Sequence, residues 1–370
     1  TWDQLIEHID IGGPTMIRAA AKNYTSVWAM TNPSQYGDFI NAFDLDDKGK
    51  ERQRQNFARE AFSHTAGYDA LIAQTFEEEA LGSSETLHIN MSQGKKTRYG
   101  ENPHQDGWVI GDNGLAGVVP LQGKELSYNN YLDADAAWRS MLDLNDIYSE
   151  RSDLKYAITV IKHSNPCGAA CGKDALTTLK EAWQGDQISA FGSIIACNQN
   201  VTKEMAHFLC ERFVEVVMAT GFDDDAKALF ARKKNLRLIE MDILPLDESE
   251  LMVRTINGGY LVQREDHGKE ASYNIVTKNS SEYDQGLVRF GVCLAKHLKS
   301  NAICLVNNSN NGVSLVGAGM GNPNRLVSLE QAVAKARENH VEDFSLVALI
   351  SDAFFPFRDN IDLAHKHGIR

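Results

Sequence analysis

Two hydrophobic periodicities divide the chain. Up to about residue 86 apolar positions recur at helical spacing. Residues 14–23 carry Ala19, Ala20 and Ala21 and end near Lys22, and residues 46–80 place Phe57, Ala61, Phe62, Thr65 and Ala66 at helical spacing. The pattern predicts a helix over each stretch, with Pro14 at the first helical position, and a short strand over 26–30 before the Asn32-Pro33 turn. Gly82-Ser83-Ser84 breaks the long helix. Beyond Gly94 short apolar runs alternate with helical stretches, the texture of a layered α/β domain. Strands are expected over 154–161, 189–197, 215–219, 302–306 and 345–350, with more around Gly258-Gly259. Helices are expected over 132–144, 174–184, 202–213 and 328–339.

The buried run 154–161 ends on Lys162-His163-Ser164-Asn165-Pro166-Cys167-Gly168, where Asn-Pro and Gly168 predict a loop. A cation beside an imidazole at a strand end suits proton handling near neutral pH. A solvated lysine and a hydrogen-bonded histidine would account for the dipeptide by itself. A short echo, Lys296-His297-Leu298-Lys299-Ser300-Asn301, precedes a second strand and fits a duplicated α/β unit with a site between the copies.

Composition narrows the classes. The chain has 370 residues, 43% hydrophobic and 24% charged, enough for two or three domains with sizeable cores. A net charge of −13 argues against a nucleic-acid partner, though local cations can still bind a small anion. The six cysteines lie mostly in apolar runs and read as reduced thiols of a cytoplasmic protein. No apolar run is long enough for a membrane helix, and no signal peptide is expected.

Four motifs invite chemistry. Gly12-Gly13-Pro14-Thr15 at a helix start offers amide groups to a phosphate, with Asp10 and Lys22 flanking the opening. Pro166-Cys167-Gly168-Ala169-Ala170-Cys171 invites a zinc-deaminase reading, but the spacer is three residues and no His-x-Glu precedes it, so no metal is expected. Gly317-Ala318-Gly319-Met320-Gly321 lacks the glycine spacing of a dinucleotide loop and predicts a tight turn presenting Arg325. Ala353-Phe354-Phe355-Pro356-Phe357, bounded by Asp352, Arg358 and Asp359, is a strand end or a platform for a flat heterocycle, with Asp359 as acceptor.

Taken together, the segments 9–23, 98–105 (RYGENPHQ), 162–168 (KHSNPCG), 299–302 (KSNA) and 351–360 (SDAFFPFRDN) occur in the order of one family. The chain resembles the bifunctional purine-biosynthesis proteins, AICAR transformylase/IMP cyclohydrolase, over nearly its whole length. The resemblance implies an α/β architecture: residues 1–90 as the C-terminal part of a methylglyoxal-synthase-like cyclohydrolase domain, and residues 91–370 as a duplicated, cytidine-deaminase-like transformylase domain without zinc. It implies formyl transfer from 10-formyltetrahydrofolate, the co-substrate, to AICAR, and closure of the product FAICAR to IMP. It also implies a cytoplasmic homodimer with transformylase sites formed across the subunit interface.

Carried over position by position, the resemblance implies His163 as general base, Lys162 as stabiliser of developing charge and Asn301 as a hydrogen-bonding partner of the reacting groups. Arg98, Tyr99, Gly192, Glu215, Arg325 and Phe354 match AICAR-binding positions, with Asn130 a further candidate, and Leu326 and Asp359 match folate contacts. Asp10, Ile11 and Gly12 match nucleotide contacts of the cyclohydrolase, and Lys22 its proton-donor lysine. The family's N-terminal phosphate loop and a C-terminal arginine find no counterpart within residues 1–370, so these residues alone are expected to lack cyclohydrolase activity. The turn before Arg325 also departs from the family's Gly-Gln-x-Ser-Arg pattern.

Overall fold

The computed structural model describes residues 1–82, 86–87, 89, 94–148, 154–244, 250–267, 272–276 and 284–369. The chain forms two compact units, Thr1–Gly94 and Lys95–Arg370. Ser83 and Ser84, part of the expected helix breaker, lie outside the described residues.

The described residues of the first unit are helical: α1 (Trp2–Glu7), α2 (Gly12–Lys22), α3 (Tyr36–Asn41) and α4 (Asp47–Leu81). The Asp46 carboxylate accepts from Gly49 N at 2.8 Å and opens α4, and Gly82, at φ +68°, closes it in the left-handed conformation that glycine tolerates. Ala21 of α2 packs against Ala58 and Ala61 of α4 and against Ala29. Phe57 is 1% exposed and Phe62 38%, so only part of the expected apolar stripe faces the core. Helix α2 starts at Gly12, so Pro14 is its third residue rather than its first. The strand expected over 26–30 does not form. A strand needs a neighbour for its N–H and C=O groups, and the described residues of this unit supply none. Trp28 instead packs edge-on against Phe39 and Phe57, at 5.3 and 5.8 Å between ring centroids.

The second unit opens with the short antiparallel pair β1 (Lys95–Lys96) and β2 (Trp108–Val109), then α5 (Gly114–Gly117) and α6 (Tyr128–Tyr148). A hairpin follows, β3 (Tyr156–Lys162) and β4 (Asn165–Gly172), then α7 (Ala175–Gln184), β5 (Ser193–Cys197), α8 (Lys203–Cys210), β6 (Val214–Ala219), α9 (Asp224–Phe230) and β7 (Arg237–Glu240). A separate hairpin, β8 (Leu251–Ile256) and β9 (Gly259–Arg264), leads to α10 (Gln285–His297), β10 (Ile303–Asn308), β11 (Gly312–Gly319), α11 (Arg325–Glu338), β12 (Val347–Ser351) and α12 (Asp359–Lys366).

Eight strands form one mixed sheet in the order β12-β10-β11-β4-β3-β5-β6-β7. The succession α6-β3-β4-α7-β5 recurs as α10-β10-β11-α11-β12, and the first strand of each set pairs antiparallel with both the second and the last. The two sets join through β4 and β11 at Gly172↔Gly312, Cys171↔Val313 and Ala170↔Ser314. The sequence echo is not the register of this repetition: Lys162-His163 ends β3, whereas Lys299-Ser300-Asn301 precedes β10. Because β3 and β10 run in opposite directions, both segments nevertheless reach the same edge of the sheet.

Helices α6 and α10 cover one face, burying Met141, Leu144 and Phe290 against Ile161, Ile194 and Cys304. The other face is covered by α7, α8 and α9 over the first half and by α11 over the second. Each fully buried aliphatic side chain there contributes roughly 1.5–3 kcal/mol. The tight turn expected over 317–321 is instead the end of β11 as far as Gly319. A Cβ on Gly317 or Gly319 would lie 2.2 Å from Ala332 O or 1.9 Å from Ser328 O, so these glycines let α11 settle directly onto the strand. Among the described residues no helix is long and apolar enough to cross a membrane.

Candidate active site

Strand β3 does not run into a loop at Asn-Pro. It turns back on His163 and Ser164, and residues 165–172 return as β4. Both turn residues have positive φ, 52° and 59°, as a tight two-residue hairpin turn demands. Neither is glycine, and the left-handed conformation costs such residues about 1–2 kcal/mol each. Asp133, in the second turn of α6, holds the turn: its carboxylate accepts from Ser164 N at 2.7 Å, His163 N at 3.3 Å and Ser164 Oγ at 3.3 Å. Asn165 donates to His163 O at 2.8 Å, and its Oδ1 accepts from Lys299 N at 3.1 Å, linking this turn to the segment before β10. The His163 side chain is exposed, and among the described residues its imidazole has no hydrogen-bond partner.

Lys162 reaches sideways. Its Nζ donates to Gly192 O at 2.9 Å and Phe191 O at 3.2 Å. An ammonium has three donors, so one is left to meet a ligand. Gly192, expected inside a strand, precedes β5 at φ +73°, and a Cβ there would lie 3.1 Å from both Lys162 Nζ and the Phe213 ring.

Asn130 and Glu215 meet one strand further on. Asn130 Nδ2 donates to Glu215 Oε2 at 2.9 Å, and Arg237 lies 3.7 Å from the same oxygen. Glu215 is the residue at which the β5–β6 register slips, which turns it out of the strand alternation. Arg98 lies over the Tyr99 ring at 5.6 Å, in a loop tied to the start of α6 by Asn129 Nδ2 donating to Glu101 O at 3.2 Å.

The remaining candidates sit at the other half of the edge. Asn301 is fixed through Asn322 O, at 2.8 Å from its Nδ2, and its own carbonyl accepts from Ser328 Oγ at 2.7 Å. Arg325 is the first residue of α11; it donates to Asp352 Oδ1 at 2.9 Å, and among the described residues its buried Nε has no partner. Burial opposes the charge of Asp352, but hydrogen bonds from Ser300, Ala302 N and Arg325 prevail and hold its carboxyl below the ordinary range. Phe354 is 81% exposed, Leu326 is half-buried on α11, and Asp359 is exposed at the start of α12.

Strands β4 and β11 pair at only three positions and part toward the site, where Gly185 sits between Cys167 O and Leu315 O. A cavity of about 170 Å³ opens there, lined by Lys162, His163, Asn165, Asp186 and Met320 among others. Cys167 is the extra residue of a bulge between Val160↔Gly168 and Ile161↔Pro166, so it packs against the α7 face while Cys171 packs under α6. The two thiols point to opposite sides of the sheet and cannot share a metal ion. Burial pushes Cys167 up to about 12. Asp143, Cys293 and His297 also cluster, but Lys296 Nζ already lies 2.7 Å from the Asp143 oxygen that faces His297.

Lys162, His163, Gly192, Asn130 and Glu215 thus gather around β3, β5 and β6, and Asn301, Arg325 and Phe354 around β10, β11 and β12. At about 4.8 Å per strand the step from β3 to β12 is about 19 Å, while the segment before β10 reaches the β3–β4 turn through Lys299 N and Asn165 Oδ1. Asp133 is not conspicuous in the sequence, since a carboxylate early in a helix reads as a response to its dipole.

In the first unit Asp10 precedes α2 and its Oδ1 accepts from Gly13 N at 2.9 Å, and Ile11 and Gly12 are exposed beside it. Lys22 is the last residue of that helix, roughly 15 Å of helical rise away. It does not flank the Gly12-Gly13 turn as expected; only a ligand as long as a nucleotide could touch both.

The family described as the AICARFT/IMPCHase bienzyme matches residues 20–335. The chain is similar to the bifunctional purine biosynthesis protein PurH of Rhodopirellula baltica, with 38% identity over 382 residues, covering 99% of this chain and 70% of that protein. The PurH proteins of Prochlorococcus marinus subsp. pastoris and Aquifex aeolicus are each 39% identical, over 380 and 375 residues, with 71% and 70% of their lengths covered. With a match of this extent, the chain belongs to the AICARFT/IMPCHase bienzyme family, the bifunctional purine-biosynthesis proteins that carry AICAR transformylase and IMP cyclohydrolase activities.

Proposed function

We propose that this protein transfers the formyl group of 10-formyltetrahydrofolate to the 5-amino group of AICAR at the β3–β4 turn. The observation that carries the reading is the turn itself, which holds a lysine and an accessible imidazole side by side at the mouth of a cavity. The amine of AICAR is conjugated with a carboxamide and is a poor nucleophile, so a base must take its proton as it attacks. His163 takes that proton while the amine nitrogen bonds to the formyl carbon; imidazoles titrate near neutrality and suit the task. Lys162, with two donors fixed on Phe191 O and Gly192 O, turns its third toward the oxygen where negative charge grows. The bond from the formyl carbon to N10 of the folate then breaks, and N10 receives a proton. No metal enters this chemistry.

Arg98, Tyr99, Asn130, Gly192 and Glu215 are the AICAR contacts of one side. Asn301, Arg325 and Phe354 are those of the other, with Leu326 and Asp359 beside the folate. The step of about 19 Å from β3 to β12, where Arg325 meets Asp352, supports a homodimer in which each site draws one group from each chain. The β8–β9 hairpin supports it too: nearly all its residues are exposed, including Leu251, Tyr260 and Leu261, and an isolated two-stranded hairpin is marginally stable. For ring closure of FAICAR to IMP, Asp10, Ile11 and Gly12 contact the nucleotide and Lys22 supplies a proton. The compartment is the cytoplasm.

Replacing His163 with Ala in the intact protein is expected to abolish formyl transfer and leave ring closure largely unchanged. Assaying both reactions on the purified variant tests this; parallel loss of both would remove His163 from the role.

A further inference from the structure

One carboxylate outside the implied catalytic and binding residues, Asp133, binds the β3–β4 turn itself. We infer that Asp133 is the positioning residue of formyl transfer: it holds the β3–β4 turn in the conformation that presents His163. This rests on His163 being the base.

Two consecutive residues in the left-handed region, neither of them glycine, persist only when their surroundings fix them. The Asp133 carboxylate binds both of their N–H groups and the Ser164 hydroxyl, at 3.3, 2.7 and 3.3 Å. It projects from α6, whose Ala134, Ala137, Trp138 and Met141 are buried in the core, so the turn is referenced to a rigid element. The same helix carries Asn130, which donates to Glu215, so one helical turn fixes two parts of the edge. Asn165 secures the far side through His163 O, but among the described residues only the Asp133 side chain accepts from the N–H groups of both turn residues. Without Asp133 the turn can relax toward φ below zero, which swings the imidazole away from the cavity mouth. The side chain is half-buried and its acceptors are used on donors of the turn, an arrangement that sets geometry rather than contacts substrate.

The test uses the intact protein and four variants: Asp133→Ala, Asp133→Asn, Asp133→Ala with Ser164→Gly, and His163→Ala. Asp133→Ala is expected to lower kcat for formyl transfer by about 100-fold, the scale of a misplacement near 1 Å, with KM for AICAR changed far less. Glycine at 164 adopts positive φ freely, so the double variant is expected to recover most of the lost kcat. Asp133→Asn keeps one acceptor oxygen and the same shape; it folds and falls between the two, which preserves the test should Asp133→Ala be unstable. Wild-type kcat in Asp133→Asn and Asp133→Ala while His163→Ala is inactive overturns the inference alone. A loss that glycine fails to rescue, accompanied by a displaced pH–rate profile, overturns it in favour of direct electrostatic action. Activity retained in His163→Ala overturns the reading of the base itself.

Discussion

Gly192 shows how tightly the lysine of the site is placed. Its carbonyl accepts from Lys162 Nζ at 2.9 Å while its Cα faces that same ammonium and Phe213. Phe213 in turn lies 5.0 Å, ring to ring, from Phe191, whose carbonyl is the second acceptor. Gly192→Ala would force a Cβ into a contact of 3.1 Å at φ +73°, a backbone conformation alanine disfavours by about 1–2 kcal/mol. The variant is expected to lose about 1–2 kcal/mol of stability and to lose formyl transfer more steeply than AICAR affinity. Urea unfolding alongside steady-state kinetics checks both; a fall in stability with unchanged kcat would detach Lys162 from the reaction.

At the scale of elements, charge pairs stitch the segment after α7 to α11. Asp186 Oδ2 lies 2.9 Å from Lys335 Nζ and 2.6 Å from Ser189 Oγ. Burial works against the carboxylate, but hydrogen bonds from Ser189 and Lys335 prevail, so its folded pKa lies below the ordinary value. A lowered folded pKa adds stability that is present above the unfolded value, about 4, and lost as pH falls through the folded value. Lys335 is shifted the other way: burial lowers it, the bond to Asp186 and the nearby carboxylates prevail, and its contribution fades only as pH rises beyond the ordinary lysine range. Asp186→Asn is therefore expected to cost about 1–2 kcal/mol near neutrality, discounted because Lys335 is partly exposed. The gap to wild type should narrow below about pH 4. Urea midpoints at pH 3, 5 and 7 check it; a gap independent of pH would deny the carboxylate its charge.

The same scale shows what the sequence could reveal. Strongly periodic stretches with chemical punctuation were legible: α4 runs from the Asp46 cap to Gly82, and α7 opens on Asp174, as the pattern predicts. The hairpin was not, because its turn is His163-Ser164 rather than an Asn-Gly pair, and the Asn-Pro signal lies two residues later. Nor was the strand over Gly317–Gly319, since its glycines answer Ala332 and Ser328 of α11, a helix that follows the strand. The candidate residues on the sheet edge came from motif resemblance; which of them meet depends on strand order, and no local pattern encodes that.

At the scale of the molecule, the strand order decides where a complete site can form. His163 follows the fifth strand of the sheet and Asn301 precedes the second, with β11 and β4 between them, and the Arg325 and Phe354 group lies beyond. If each transformylase site takes His163 from one chain and Asn301 from a second, two inactive proteins can repair each other. A dimer of one His163→Ala chain and one Asn301→Ala chain has one site missing both residues and one site missing neither. Random pairing of equal amounts makes half the dimers hybrids, so the mixture is expected to regain about a quarter of wild-type formyl transfer. Either variant alone should stay inactive. Co-expression, or unfolding and refolding of the mixture, supplies the hybrids, and the formyl-transfer rate reads them. If instead each chain holds a whole site, no hybrid contains an intact one and the mixture stays inactive, which would return Asn301 and Arg325 to the same chain's His163.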